Sequence, residues 1–142
     1  MKLIAATKNN GKVLEIRAIL KELGIDVISQ GEAGIDIEVA ETGNTFEENA
    51  LLKASEICKI SKSAALADDS GLCVDALNGS PGVLSARYAG PNATDKMLID
   101  KLLYELRDIP KEARGARFVS VVALVLPDGR SFTARGEVVG AI

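Results

Sequence analysis

Residues 2–29 read KLIAATKNNGKVLEIRAILKELGIDVIS, and their pattern of apolar and polar residues indicates an α/β fold. Residues 2–6 are a short apolar run that predicts a buried strand, and a polar turn follows it. From Lys12 onward apolar side chains recur at helical spacing, and Gly24 is typical of a helix C-terminus. Residues 25–29 are again strand-like. A strand, a helix and a second strand in succession are the unit from which α/β domains are built.

A second helix is predicted to begin at Asn44 or Thr45, after an acidic, glycine-containing loop at residues 31–43. Thr45 and Glu48 have the spacing of a capping box. The apolar stripe of this helix would be Phe46, Ala50, Ala54 and Ile57. Residues 64–67 and 72–74 then predict two strands, on either side of a turn at Asp68-Asp69-Ser70-Gly71.

The last third of the sequence predicts one helix and one hairpin. Thr94 is expected to cap a helix that extends to Arg107, with an inward face of Leu98, Leu102, Leu103 and Leu106. Residues 116–126 and 131–139 would pair as strands around the turn sequence Pro127-Asp128-Gly129. We therefore predict a single α/β domain over residues 1–142.

The composition is that of an ordinary globular protein. Of the 142 residues, 47% are hydrophobic and 26% are charged, and the formal net charge is -3. A protein that binds a nucleic-acid backbone would normally be basic, so we expect no nucleic-acid partner. The sequence has no apolar run of membrane-spanning length and no signal-like N-terminus, so we expect no membrane partner and a cytoplasmic location.

Two residue types limit the possible chemistry. The sequence contains no histidine, which excludes Ser-His-Asp and Cys-His catalysis and leaves carboxylates, lysines and hydroxyls. Its two cysteines, Cys58 and Cys73, fit no metal-binding spacing and lie in apolar runs, so we expect both to be buried free thiols.

The first candidate site is the polar turn Thr7-Lys8-Asn9-Asn10-Gly11-Lys12, between a predicted strand and a predicted helix. Backbone N–H groups at the beginning of a helix attract anions, and the hydroxyl, amide and ammonium groups beside them could complete a phosphate site. The turn is not a Walker loop, because it has one glycine and no Gly-Lys-Ser/Thr sequence. A simple solvated βα turn is the alternative interpretation.

Asn49 and Lys53 form the second candidate. They stand four residues apart on the predicted helix, so they share a face beside its apolar stripe. Lys53 could reach into a cleft. Alternatively, it is an ordinary surface lysine whose aliphatic stem lies along the helix.

Three carboxylates, Glu41, Asp68 and Asp69, form the third candidate. Two adjacent aspartates at the end of an apolar strand lie where sites in α/β proteins usually open. Such oxygen ligands hold Mg2+ together with substrate phosphates. Neighbouring side chains on an extended strand point in opposite directions, so both aspartates can serve one site only if the chain turns there. The alternative is a turn in which the second aspartate is solvated.

In order and spacing, these segments resemble the motifs of the inosine/xanthosine triphosphate pyrophosphatase family. The matching segments are 7–12, Glu41-Thr42-Gly43, Thr45-Phe46, Glu48-Asn49-Ala50, Lys53-Ala54, Ala67-Asp68-Asp69-Ser70-Gly71-Leu72, Pro81-Gly82 and Ser85-Ala86-Arg87-Tyr88. Each motif is short, and the specificity lies in the whole series. Members hydrolyse deaminated purine nucleoside triphosphates (ITP, dITP and XTP) to the monophosphate and pyrophosphate. The resemblance implies that activity here, with an α/β fold whose mixed, elongated sheet is flanked by helices.

The resemblance also implies how a triphosphate would be bound. Thr7, Asn9 and Lys12 would hold it, with the backbone of Lys8, Asn9, Asn10 and Gly11 closing around it. Lys53 would neutralise phosphate charge, and Ser70 would contact the substrate.

For the metal, the resemblance implies a Mg2+ ion held by Glu41 and Asp69, with Asp68 as a further ligand. Asp69 would also orient and deprotonate the attacking water. Family members are commonly homodimers, so we expect a homodimer or another form of self-association.

The family pattern continues past the hairpin with a Gly-Phe-Gly-Tyr-Asp-Pro segment and a Ser-His-Arg element that together bind the purine base. The sequence ends at Ile142, so we expect a C-terminally shortened member that has the phosphate and metal half of the site. One alternative is a non-catalytic nucleotide-binding remnant. The other is a pyrophosphatase of modified pyrimidine nucleotides, whose family begins with Ser-x-x-Arg-Arg where this sequence has Thr7-Lys8-Asn9-Asn10.

Overall fold

The computed structural model describes all residues from Met1 to Ile142. It consists of a five-stranded sheet and three α-helices, in agreement with the predicted mixed sheet flanked by helices. In chain order the elements are β1 (Lys2–Ala5), α1 (Asn10–Lys21), β2 (Asp26–Ser29), α2 (Phe46–Ser61), β3 (Ala64–Val74), α3 (Asp95–Glu105), β4 (Gly115–Val125) and β5 (Ser131–Ala141). Short 3-10 helices lie at Asp75–Leu77, Gly82–Arg87 and Lys111–Ala113.

The strand order in the sheet is β2-β1-β3-β4-β5. β1 pairs in parallel with β2 on one side and with β3 on the other. The chain therefore leaves β1 toward one edge and later returns to its opposite side, which makes the carboxyl end of β1 a topological switch point. Ligand sites of open α/β sheets lie at such points.

The chain forms two compact units. The first comprises Met1–Asp69 and Val121–Ala134, and the second comprises Ser70–Ser120 and Arg135–Ile142. The first has a core of Leu3, Ala5, Val13, Val27 and Ala64, and the second has a core of Val74, Leu102, Leu106 and Ala116.

The break that the sequence predicts within residues 64–74 does not occur. β3 is continuous through Asp68, Asp69 and Ser70. Burial alternates along this part of the strand, with Ala65, Ala67, Asp69 and Gly71 buried. β3 lies between β1 and β4 in the sheet, and its register with β1 ends at Leu66. Pairing with β4 carries the strand beyond that point and overrides the local turn preference of Asp-Asp-Ser-Gly.

Leu23 and Leu103 are two of the exposed leucines, and both belong to apolar patterns of helical spacing in the sequence. Leu23 is 71% exposed because α1 ends at Lys21, before the predicted apolar stripe is complete. Leu103 is 45% exposed because α3 buries the face that carries Leu102 and Leu106. Both cysteines are free thiols, as predicted, but Cys58 is buried whereas Cys73 is only half-buried.

β5 differs from every other strand because all of its residues are exposed. It lies at the edge of the sheet, next to β4. Phe132, Val138 and Val139 are among the exposed large apolar side chains of the molecule. None of the helices has both the length and the apolar character needed to cross a lipid bilayer.

Candidate functional site

The turn between β1 and α1 is held by its own side chains. The backbone N–H of Asn9 donates to Thr7 Oγ1 at 3.1 Å, and Asn9 Oδ1 accepts the backbone N–H of Lys12 at 3.2 Å. Asn9 is thus the N-cap of α1, and the helix begins two residues earlier than the sequence predicts, at Asn10. The Thr7 and Asn9 side chains are engaged within the turn, whereas the Lys12 side chain extends out of it.

Lys12 connects this turn to β3. Its Nζ lies 2.7 Å from Oδ2 of Asp68. The Asp68 side chain is 18% exposed, so the ion pair is largely shielded from solvent on the carboxylate side. The beginning of α1 and the middle of β3 therefore meet through opposite charges.

Lys53 makes the corresponding connection from α2. Its Nζ donates to the backbone carbonyl oxygen of Asp68 and lies 3.3 Å from Oε1 of Glu41. The Lys53 side chain is 19% exposed. It is thus a partly buried ammonium group between two carboxylate-bearing segments, rather than a solvated surface lysine.

Asp69 is a buried carboxylate that lacks a full set of partners. The residue is 7% exposed, and its Oδ2 atom has no hydrogen-bond partner. Burial raises the pKa of Asp69 above its ordinary value, and the charge of Glu41 raises it further. The Asn49 amide and the Lys53 charge lower the same pKa, without cancelling the rise.

The two aspartates have different environments because β3 is extended where they lie. Asp68 pairs with Lys12 of α1, whereas Asp69 is buried within the influence of Asn49 and Lys53 of α2. The chain does not turn between them, so the condition for both side chains to serve one site on one face is not met. Asp69, Glu41 and Lys53 form the inner group, and Lys12 with Asp68 forms a neighbouring ion pair.

Two other candidate residues, Lys8 and Ser70, are exposed. Lys8 Nζ lies 3.5 Å from Asp36 Oδ1, and both side chains are exposed. A cavity of about 390 Å³ beside this pair is lined by Thr7, Lys8, Asn10, Ser29, Gly31, Gly34, Ile35 and Asp36. Ser70 follows Asp69 on β3, belongs to the second unit and is exposed.

The carboxylates suit a metal site that is completed by substrate and water, and not one formed by protein ligands alone. No group of three or more His, Cys, Asp or Glu side chains is arranged to hold a metal ion. The residues therefore do not form an all-protein cage. Mg2+, however, is commonly held by one or two carboxylates and completed by substrate phosphates and water. The unpartnered Oδ2 of Asp69, with Glu41 close enough to raise its pKa, fits this second mode.

Comparison with known proteins identifies the family to which this sequence belongs. The sequence model of the Ham1 family matches residues 3–142. The chain belongs to the Ham1 family. The resemblance stated from the motifs of residues 7–88 is thereby confirmed.

Three relatives of this Ham1 chain are representative. It is 51% identical over 121 residues to the dITP/XTP pyrophosphatase of Salmonella paratyphi A, covering 85% of this chain and 61% of that protein. It is 50% identical over 139 residues to the dITP/XTP pyrophosphatase of Bacillus licheniformis, covering 98% and 71%. The structure of a HAM1 protein from Coxiella burnetii matches with a TM-score of 0.93 and 40% identity, over 100% of this chain and 73% of that one. The chain thus spans about three fifths to three quarters of the length of these relatives.

One residue at this site, Asn49, has no functional role predicted from the sequence. Asn49 is 1% exposed, and its Oδ1 accepts the backbone N–H of Gly43 at 2.7 Å. A signal for Asn49 exists in the sequence, because it lies between Phe46 and Ala50, beside the apolar stripe of α2. An amide at such a position is buried with the stripe and needs polar partners.

Proposed function

We propose that this chain carries the phosphate- and metal-binding part of an enzyme that hydrolyses deaminated purine nucleoside triphosphates to the monophosphate and pyrophosphate. The observation that carries the proposal is the Asp69 carboxylate, which is buried, has a raised pKa and keeps one oxygen without a partner beside Lys53 and Glu41. Names of relatives that are about half identical, dITP/XTP pyrophosphatase, support the substrate class.

Binding begins with charge neutralisation. A nucleoside triphosphate carries about four negative charges, and hydrolysis concentrates further charge on the leaving pyrophosphate. Lys12 and Lys53 are the ammonium groups that this region offers to phosphates, and each is paired with a carboxylate, Asp68 and Glu41 respectively. Phosphate oxygens would replace these carboxylates as lysine partners. Asp68 and Glu41 would then no longer be paired with lysines, and Glu41 would be free to bind the metal ion.

Mg2+ would be held by Asp69, Glu41 and substrate phosphates, whereas Asp68 would stay outside this set because its side chain leaves the opposite face of β3. When bound, such an ion polarises phosphate oxygens and acidifies coordinated water. The protein's own contribution is to fix the carboxylates on a strand and a loop that are packed against α2.

Asp69 would accept a proton from the attacking water. The water oxygen forms a bond to the α-phosphorus, the bond from that phosphorus to the bridging oxygen breaks, and pyrophosphate leaves with the bonding electrons. A general base is most effective when its pKa is near the working pH. The raised pKa of Asp69 moves it in that direction.

The turn at residues 7–12 would bind the outer phosphates, through the side chains of Thr7, Asn9 and Lys12 and the backbone of Lys8, Asn9, Asn10 and Gly11. Its geometry supports this role because Asn9 caps α1 and orders the first backbone N–H groups of that helix. Ser70 would contact the substrate from the residue after Asp69.

The test is product analysis with the chain incubated with ITP, XTP, ATP or a modified pyrimidine triphosphate, with and without MgCl2. Release of pyrophosphate from ITP and XTP, lost on chelation of Mg2+, is the expected result. Orthophosphate as the first product would contradict the proposed bond cleavage. Nucleotide binding without turnover would instead indicate a non-catalytic nucleotide-binding protein. Preference for the pyrimidine triphosphate would indicate a pyrophosphatase of modified pyrimidine nucleotides.

We also propose self-association. β5 is an edge strand with no buried residue, and the free N–H and C=O groups of such an edge pair readily with another chain. Light scattering across a range of protein concentrations measures this directly, and a constant monomer mass would exclude it.

A further inference from the structure

Asn49 makes contacts that its position on a helix does not require. It lies in the first turn of α2 and is among the largest fully buried side chains of the molecule. Its Oδ1 accepts the backbone N–H of Gly43, whereas its Nδ2 has no hydrogen-bond partner. Buried amide groups are normally satisfied at both ends. The Oδ1 atom of Asn49 therefore holds the loop at Gly43, and its Nδ2 atom has a hydrogen bond left to donate.

The loop approaches Asn49 more closely than a side chain would allow. A Cβ atom added to Gly43 would lie 2.7 Å from Asn49 Oδ1 and 2.7 Å from Glu48 Cβ. Such distances are too short for real Cβ contacts, so the close approach requires glycine at position 43. Glu41, which pairs with Lys53, is only two residues away on the same loop.

The other end of Asn49 acts on Asp69. Asn49 Nδ2 and Asp69 Oδ2 are buried side-chain atoms without a hydrogen-bond partner. They belong to neighbouring side chains, because the Asn49 amide is close enough to the Asp69 carboxyl to lower its pKa. The same side chain thus contacts the loop that carries Glu41 and influences the strand residue Asp69. These are the two carboxylates that the proposed function gives to Mg2+.

The N-terminus of α2 does not need Asn49 as a cap. Thr45 Oγ1 accepts the backbone N–H of Glu48 at 3.1 Å, and Glu48 Oε2 accepts the backbone N–H of Asn44 at 2.7 Å. Thr45 therefore caps α2 without help from Asn49, and Glu48 holds the preceding loop from the solvent side. The role of Asn49 lies on the inner side, between the loop and β3.

We propose that Asn49 is the positioning residue of the site, which fixes the Glu41 loop through Gly43 and the Asp69 carboxylate in one arrangement that Mg2+ and a triphosphate can enter. This inference rests on the proposed function. It assigns to Asn49 no contact with the reacting atoms.

The test compares Asn49→Leu, which removes both polar groups, with Asn49→Asp, which keeps an acceptor for the Gly43 N–H but removes the amide donor. Glu48→Ala is the matched control, because it removes a solvent-side contact to the same loop, at the Asn44 N–H, and leaves the inner contacts of Asn49 in place. We expect kcat to fall about 10- to 100-fold in both Asn49 variants, with a higher Mg2+ concentration for half-maximal rate, as for other residues that orient ligands. KM for ITP should change by less than about threefold, and Glu48→Ala should retain the wild-type kcat and Mg2+ requirement.

Hydrogen exchange of the Gly43 amide, followed by NMR, gives a readout independent of turnover. It should accelerate at least about tenfold in Asn49→Leu and stay near the wild-type rate in Asn49→Asp. Wild-type kcat and Mg2+ requirement in Asn49→Asp, with Gly43 still protected, would overturn the proposal. If Asn49→Leu does not fold, Asn49→Asp decides.

If the wild-type chain releases no pyrophosphate from any triphosphate, the proposed function fails. The positioning role of Asn49 is then tested by binding calorimetry. The probe is MgCl2 with inorganic tripolyphosphate. Weaker binding to Asn49→Asp than to wild type and Glu48→Ala still supports the positioning role. Equal binding to all three proteins, or binding to none, overturns it.

Discussion

Each of the two compact units contains a cluster of charged and polar side chains, and the clusters differ in how completely their groups are paired. In the first unit, Asp69 lies among Glu41, Lys53 and Asn49, and two buried polar atoms have no partner. In the second, the hydroxyl of Tyr88 donates to Glu105. Lys101 Nζ donates to the Tyr88 carbonyl oxygen at 2.7 Å and lies 4.4 Å from the centre of the Tyr88 ring.

The difference separates a structural cluster from a candidate site. A buried donor or acceptor without a partner costs about 1–3 kcal/mol, so it is retained where something outside the chain completes it. The Tyr88 group has its partners within the protein and holds α3 against the segment before it. The Asp69 group has charge and hydrogen-bonding capacity left over.

The largest expected effect is on turnover in Asp69→Asn. The amide cannot accept the proton of the attacking water and is a weaker metal ligand, so pyrophosphate release should fall about 10^2- to 10^4-fold. Asp108→Asn, at an exposed position of the second unit, is the control and should keep the wild-type rate. Near wild-type rates in Asp69→Asn would remove Asp69 from the mechanism.

The next effect is on affinity in Lys53→Ala. A hydrogen bond to a charged group contributes roughly 1.5–3 kcal/mol, so the Kd for a triphosphate should rise by about one to two orders of magnitude. Titration calorimetry with ITP and Mg2+ measures this. Lys59→Ala, an exposed lysine of the same helix, should bind as the wild type does. Unchanged affinity in Lys53→Ala would mean that Lys53 serves only the Glu41 loop.

A smaller effect of opposite sign is expected on stability. The pKa of Asp69 is raised in the fold, so its ionised form is disfavoured there, and its contribution to stability is lost as the pH rises through that folded-state pKa. At neutral pH, Asp69→Asn should therefore stabilise the ligand-free protein, by on the order of 1 kcal/mol. Thermal unfolding measures the gain. A lower Tm for Asp69→Asn would show that the carboxylate is not under strain.

The smallest effect is expected in the second unit. Tyr88→Phe should leave turnover unchanged and alter the free energy of unfolding at pH 7 by no more than about 0.5 kcal/mol. Burial, and then Glu105, raises the pKa of Tyr88 above its ordinary value of 10.0. The stability that this group contributes is thus complete below about pH 10 and is lost at more alkaline pH. Denaturant titrations should show a flatter alkaline decline for Tyr88→Phe, and a large loss of turnover would make Tyr88 part of the site.

The parts of the fold that depend on local chemistry could be predicted from the sequence. The order β1, α1, β2 follows from apolar spacing, and Thr45 and Thr94 cap α2 and α3 as their positions indicate. The hairpin of β4 and β5 was also predicted correctly from its turn residues. In each case the deciding interactions lie within a few residues of one another.

What could not be predicted depends on contacts between distant segments. The turn predicted at residues 68–71 is a continuous strand because β3 pairs with β4, which lies far from it in sequence. Likewise, Glu48 accepts the N–H of Asn44 rather than that of Thr45, because the loop before α2 is drawn against the helix at Gly43. The structure links Lys12 to Asp68 and Lys53 to Glu41 and the Asp68 carbonyl, whereas Lys8 pairs with Asp36.

The exposure of β5 has a consequence for strand register. A strand with one buried face cannot slide by one residue, because its apolar side chains would exchange core for water. β5 has no buried residue, so burial opposes no such slip. Its register against β4 is set instead by the hairpin turn, where the Leu126 N–H donates to the Arg130 carbonyl oxygen at 2.9 Å and Asp128 accepts the Arg130 N–H at 3.0 Å. The length of that turn therefore sets the register of β5. One residue inserted in the turn would move every side chain of β5 to the opposite face of the sheet at little cost in burial.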